Sequence, residues 1–280
     1  MAVFGDEFSS PQRALFHVLG GHGGQKRPIV HRKCQFCPEP GLFRLKQPPS
    51  AAELAALLPP GLQANCSRIR FLLSAEISSI YKRGGKVRKI HSILYAPDFE
   101  AVRRINSVLA GIGNLEADGR PILGLDAEKL LVILLEQAPE GFLVPAHIWT
   151  PWFSLFGSKS GFDSIEECFD DLSSEIFALE TGLSSDPEMN RHISALDRFS
   201  LISNSDCHSP AKLGREANIF AAELSFPALK EALRRPMDEQ GRRRFQATVE
   251  FYPEEGKYHC DGHRKCGVCY EPAQTVEADG

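Results

Sequence analysis

The chain has 280 residues, room for one large domain or two smaller ones around a real core. Apolar residues make up 42% and charged residues 24%; with no run near the roughly 20 apolar residues of a membrane helix, and no charged head leading an apolar stretch, a cytoplasmic protein without a membrane partner is expected. A net charge of −4 excludes a protein that coats nucleic acid through overall basicity, while leaving room for a local basic groove.

Residues 1–38 carry GGHGG and HRKC with no apolar period of useful length, and are predicted to be an irregular segment unrelated to the rest. Residues 39–252 are predicted to hold the main α/β domain and 253–280 the start of a metal-binding segment. AAELAALL is a short candidate helix. FLLSAEISSIY and KIHSILYA are strand-like and flank Gly84-Gly85, a hairpin signal. Pro97-Asp98 opens a predicted helix with Val102, Ile105, Leu109 and Ile112 on one face. Asp126 caps a second, carrying Leu130, Leu131, Ile133 and Leu134. GFLVPAH reads as a short buried strand, and Ser164 with Glu167 has capping-box spacing. IFALE and SLISNSD are further short strands, Ser225 and Pro227 start a helix, and FQATVEFY alternates as a strand should. Strands alternating with helices point to an α/β barrel or an open sheet.

Four of these strands are predicted to end in ionisable residues: Glu76, His147, Glu180 and Asp206, with His208 two positions on. In α/β barrels the C-terminal strand ends carry the active site. Each residue alone is as well read as a cap, a surface group or a satisfied core side chain; four in the same position favour a shared site. His91 joins them by register. If Gly84-Gly85 is a two-residue turn, Arg83 faces Lys86, Glu76 faces Ile93, and His91 lies diagonally from Glu76 at about 7–8 Å. Asp, Glu and His suit zinc, manganese or magnesium, ions that activate water and clamp phosphate oxygens.

Two basic features fit a phosphate-rich partner. YKRGGKVRK sets Lys82, Arg83, Lys86, Arg88 and Lys89 around the hairpin turn, and GSKSG, with Ser158 and Lys159, could offer backbone N–H groups to a phosphate. A solvated hairpin tip and an ordinary loop are the competing readings. No G-x-x-x-x-G-K-[ST] occurs, so an ATP-driven activity is not expected. Trp149 and Trp152 follow His147, where aromatics could stack on a base or simply fill core. Eight cysteines in a cytoplasmic chain point to metal or free thiols before disulfides. Cys266 and Cys269 form half a zinc site, Cys34 and Cys37 are the other C-x-x-C pair, and Cys66, Cys168, Cys207 and Cys260 are expected as free thiols.

Taken in order, EPGLFRL, RFLLSAEISSIYKRGGKVRKIHSILYAPDFEAVRRIN, DGRPILGLDA, PAHIWTPWFSLFGSKSGFDSIEECF, ALETGLSSDPEMN, SNSDCHSPAKLGREAN and EFYPEEGKYHCDGHRKCGVC resemble the PHP superfamily of metal phosphoesterases, and within it the endonuclease Q family. These blocks cover most of residues 38–270. The resemblance implies a distorted (β/α)7 PHP barrel with a cluster of divalent metal ions. It also implies a nuclease that nicks DNA 5′ to deaminated bases such as uracil and hypoxanthine, and at abasic sites. By position it implies Glu76, His91, His147, Asp206 and His208 as metal ligands and Glu180 as a pocket residue. Cys266 and Cys269 match the first half of a structural zinc site.

The chain departs from that pattern where the family has a first strand bearing His-x-His and a following loop with Asp and His. His17, His22 and His31 have neither the spacing nor the strand context, and the second cysteine pair and C-terminal helical region have no counterpart. The expectation is a barrel incomplete at its N-terminal strand or strands, half a zinc site, and little or no nuclease activity, as in a gene fragment or frameshifted product. Another PHP phosphoesterase acting on a small phosphate ester, and a non-catalytic fragment that binds DNA weakly or not at all, are the alternative readings.

Overall fold

The computed structural model describes residues 34–36, 38–45, 47, 50–57, 69–116, 120–209, 212, 214–256, 259–263 and 267–277. Its first elements are β1 (Cys34–Phe36) and β2 (Phe43–Leu45), paired antiparallel with Phe36 opposite Phe43. β1 lies inside the segment read as irregular; three residues are too few to show a period of two. The remainder of that segment, apart from Pro38, lies outside the described residues. α1 (Ala51–Leu57) matches the expected short helix.

β3 (Leu73–Arg83) and β4 (Lys86–Ala96) form the longest element. Gly84 (φ +60°) and Gly85 (φ +74°) adopt the left-handed pair of angles that a tight hairpin turn demands and that glycine supplies without strain. The register is the expected one, with Arg83 opposite Lys86 and Glu76 opposite Ile93. β5 (Ile122–Leu123) adds parallel to β3, and β6 (Phe142–Pro145) antiparallel to β4, giving a mixed sheet in the order β5-β3-β4-β6.

Side chains alternate across this sheet. Ile77, Ile90 and Leu94 turn to one face and pack with Ile105 and Leu109 of α2 (Phe99–Leu109) and Leu130 and Leu134 of α3 (Ala127–Gln137). Full burial of each such side chain contributes about 1.5–3 kcal/mol. Glu76, Ser78, His91 and Ile93 share the opposite face. Asp98 caps α2, accepting from the Ala101 N–H at 2.7 Å. Ile112, expected on the α2 face, lies past the helix end and is exposed. Asp126 precedes α3 but makes no side-chain cap bond.

The chain continues through α4 (Ile165–Phe169), β7 (Ala178–Glu180), α5 (Pro187–Arg191) and β8 (Ser200–Ile202), with β7 and β8 parallel. Ser164 caps α4 as its spacing predicts. β9 (Ala217–Phe220), α6 (Phe226–Arg234) and β10 (Phe245–Val249) follow, then β11 (Asp261–His263), β12 (Val268–Tyr270) and α7 (Pro272–Glu277). β9 pairs with β10 and β11 with β12, both antiparallel. The Ile148 N–H donates to the Glu180 carbonyl, drawing β7 beside the end of β6. Among the described residues no helix is long and apolar enough to cross a membrane.

Candidate metal centre

Glu76, His91 and His147 converge. Glu76 Oε1 lies 2.9 Å from His91 Nδ1 and 3.4 Å from His147 Nε2, and the two ring nitrogens are 3.1 Å apart. A tetrahedral cation with bonds of about 2.1 Å has ligand–ligand edges of about 3.4 Å. The three donors therefore already stand near the spacing a zinc-sized ion requires. Glu76 does not sit at a strand end, as expected, but within β3, because the antiparallel hairpin carries the pairing on to Arg83.

The surrounding structure holds each donor. The His91 N–H donates to the Phe153 carbonyl, its own carbonyl accepts from Ala146, and its ring packs 4.8 Å from that of Phe153. His147 lies two residues beyond β6 with φ +32°, a conformation a side-chain-bearing residue keeps only when its surroundings impose it. Its backbone N–H donates to Glu180 Oε2 at 3.0 Å. Gly182 packs against it, where an added Cβ would lie 3.0 Å from the His147 Cβ. The Thr150 hydroxyl donates to the Trp152 carbonyl, so at 3.1 Å its oxygen accepts from His147 Nδ1–H. That tautomer leaves the Nε2 lone pair facing Glu76 and His91, ready for a cation.

Burial pushes the Glu76 carboxyl up, but the adjacent His147 and His91 rings and the charge of Arg120 outweigh it and hold Glu76 well below the usual carboxylate range. Burial lowers His91, with Glu76 opposing and Arg120 and His147 adding to the shift. Burial also lowers His147, yet Glu76, Glu180 and Asp206 carry it above its ordinary value. Glu180, 3% exposed at the end of β7, is pushed up to about 7, mainly by burial. Asp206 and Glu76 raise it further and His147 opposes.

The structure does not bring all five expected ligands together. Asp206 is close enough to act on His147 and Glu180 but stands outside the three-donor cluster, on the loop after β8, with φ +40°. His208 is 72% exposed at its side chain and meets Asp206 at 3.6 Å. Arg120 is the residue the sequence reading missed. Its Nη2 lies 3.1 Å from Glu76 Oε2 and its Nη1 3.1 Å from His91 Nδ1. It occurs in the DGRPILGLDA block, which has no periodicity to single it out.

Several expected phosphate contacts are committed elsewhere. Arg83 pairs with Glu128 and Asp170 and donates to the Cys168 carbonyl; Arg88 donates to the Gly161 carbonyl and lies over the Phe162 ring. In GSKSG the amides of Gly157, Lys159, Ser160 and Gly161 all donate to nearby carbonyls, which corrects the reading of this loop as an open amide cradle. Trp149 packs on Phe156 and donates to Asn190, as a core side chain does. Trp152 is half exposed, with Lys89 5.0 Å above its ring, and Lys82, Lys86, Ser158 and Lys159 are exposed. Cys269 is exposed on β12 beside the Cys260 thiol, while Cys266 and Cys37 lie outside the described residues.

No family model matches the chain. Over 192 residues it is 33% identical to the uncharacterized protein YqxK of Bacillus subtilis (strain 168), an alignment covering 67% of this chain and 46% of that protein. Its structure is similar to that of the lesion-specific endonuclease PfuEndoQ from Pyrococcus furiosus, with a TM-score of 0.65 and 26% identity, over 89% of this chain and 54% of that one. The chain thus spans about half the length of the relatives it matches.

Proposed function

We propose, from the premise that the likeness to endonuclease Q read in the sequence extends to the mixed α/β fold, that this chain carries the centre of a metal-dependent DNA endonuclease. Its substrate is DNA containing a deaminated base or an abasic site, nicked on the 5′ side. The carrying observation is the convergence of Glu76, His91 and His147 at cation-ligand spacing on the sheet face turned away from the helices α2 and α3. A divalent ion bound there would polarise a phosphoryl oxygen and lower the pKa of a bound water. Glu76 contributes the negative charge, and the two imidazoles contribute neutral lone pairs. Glu180 locks the backbone of His147 through its N–H, and Asp206 and His208, on the loop beyond β8, border the three donors at the centre of a distorted (β/α)7 barrel. Residues 253–280 begin a zinc-binding segment through Cys266 and Cys269. Trp152, half exposed beneath Lys89, gives a base a stacking face and a phosphate a cation, which favours nucleic acid over a small phosphate ester.

Three converging donors, against five expected, imply slow turnover, so the test uses protein in excess over DNA. A duplex with one deoxyuridine, hypoxanthine or abasic site should be nicked 5′ to the lesion with manganese present. The nick should be lost with chelator and in His147→Ala. Metal-loaded protein that leaves the duplex intact overturns the reading, as does unchanged nicking by His147→Ala.

A further inference from the structure

We propose that Arg120 supplies the second positive charge of this centre, holding the substrate phosphate beside a single cation bound by Glu76, His91 and His147; this rests on the reading of the site as a phosphodiesterase. A phosphodiester undergoing attack gathers negative charge on several oxygens, and catalysis needs more than one fixed positive group around it. Among the described residues one cluster offers three metal donors. The carboxylate at its centre is shared: Glu76 Oε1 faces the two histidines, and Oε2 faces Arg120 Nη2 at 3.1 Å.

The guanidinium sits where it can do this without displacing a cation. Nη1 is 3.1 Å from His91 Nδ1 and 3.4 Å from His91 Nε2. Near-equal distances to both ring nitrogens put Nη1 over the ring face and not on the Nδ1 lone pair, which stays directed at Glu76 and His147. Arg120 is anchored by its neighbour, because the Pro121 carbonyl accepts from the Ser78 N–H at 2.9 Å, two residues from Glu76. A guanidinium carries five N–H donors in a planar fork suited to phosphate. The Arg120 side chain is 30% exposed, so it reaches both the donor cluster and solvent. Arg83 and Arg88 are committed to Glu128, Asp170 and the α4 region, so among these three arginines Arg120 alone touches the donors.

The experiment measures manganese binding by calorimetry and, separately, manganese-dependent ³¹P relaxation of dimethyl phosphate, a diester probe whose signal needs no turnover. Native protein, Arg120→Lys and Arg120→Met are compared. The native chain should bind one manganese ion and relax the probe. Arg120→Met should bind manganese within about threefold of native while its affinity for the diester falls about tenfold, and Arg120→Lys should recover part of that loss. If Arg120→Met loses manganese, the residue only fixes Glu76 and the proposal fails. Undiminished relaxation in Arg120→Met, or two manganese ions per native chain, also overturns it, and the phosphodiesterase reading survives either result. A native chain that binds no manganese, or binds it without relaxing the probe, removes both.

Discussion

Glu76 and His91 sit on paired strands and His147 follows one closely, whereas Asp206 and His208 ride the loop beyond β8. The first three meet within hydrogen-bonding distance; the other two stay outside, His208 largely in solvent. On a strand, ladder bonds that do not involve the side chain set where that side chain points. Glu76 and His91 are aimed by the β3–β4 register, and His147 by β6 and by bonds to Glu180 and Thr150. A loop residue has no such ladder. Asp206 depends on a backbone at φ +40° that its neighbours must impose.

The sharpest way to break this contrast is to remove one donor from each group. His147→Ala and Glu76→Ala should each weaken manganese or zinc binding by more than about 100-fold, while Asp206→Ala and His208→Ala should change it by less than about tenfold. Calorimetric titration of the four variants decides it; equal losses across the set would mean that loop and strand donors act as one ligand shell.

The GSKSG loop contrasts with the Asp206 loop in that four of its own amides donate to nearby carbonyls. A Cβ at Gly161 would lie 2.3 Å from the Gly157 nitrogen and 2.6 Å from the Leu155 carbonyl. Gly161→Ala should therefore cost about 2–4 kcal/mol in urea unfolding, against less than about 0.5 kcal/mol for the exposed Ser158→Ala. A small loss at Gly161 would show that this loop is no more fixed than the one bearing Asp206.

Asn218, Arg215 and Glu216 all bond to the start of the Asp206 loop, and pH exposes the part played by Glu216. Glu216 is 2% exposed; it accepts from the Ser203 hydroxyl at 2.6 Å and from the Phe251 N–H, and its carbonyl accepts from Ser205. Burial pushes its carboxyl up to about 7, with Ser203 opposing and Glu250 adding. The folded state thus keeps a proton that the unfolded chain releases near 4.5. This contribution is complete below that pH and disappears as pH rises through about 7. Glu216→Gln, which cannot ionise, should lose less stability than the native chain between those values. Melting curves across that range check it, and parallel pH profiles would remove Glu216 as the cause.

The smallest effect belongs to the hairpin tip. Lys86→Ala should weaken binding to duplex DNA two- to threefold and reduce the salt slope by about one ion, because Lys86 is exposed beside the turn. Arg83→Ala should act on folding stability first, since Arg83 is tied to Glu128 and Asp170.

Much of this was legible from residue order. Two adjacent glycines between strand-like runs specify a turn, the turn specifies a register, and the register sets Glu76 and His91 on one face. The caps at Asp98, Ser164 and Ser225 follow equally from local spacing. What stayed hidden depends on contacts between distant segments. Arg120 has no local pattern; its role comes from β5 pairing with β3. Arg83 and Arg88 look free in sequence because their partners lie 45 to 87 positions away. GSKSG reads as an open anion cradle until the carbonyls of Pro151, Ser154 and Gly157 are seen to occupy its amides.

The two-glycine turn also bears on the order in which the centre is assembled. Hairpins of this kind close in about 1–10 μs, ahead of contacts that span longer stretches of chain. Closing the turn brings Glu76 and His91 together across only fifteen positions, whereas His147 must arrive from 56 positions beyond His91. That ordering would bring two donors together before the third arrives. Divalent ions that bind these donors would then act on the folding ensemble from its earliest compact stage, without waiting for a finished pocket.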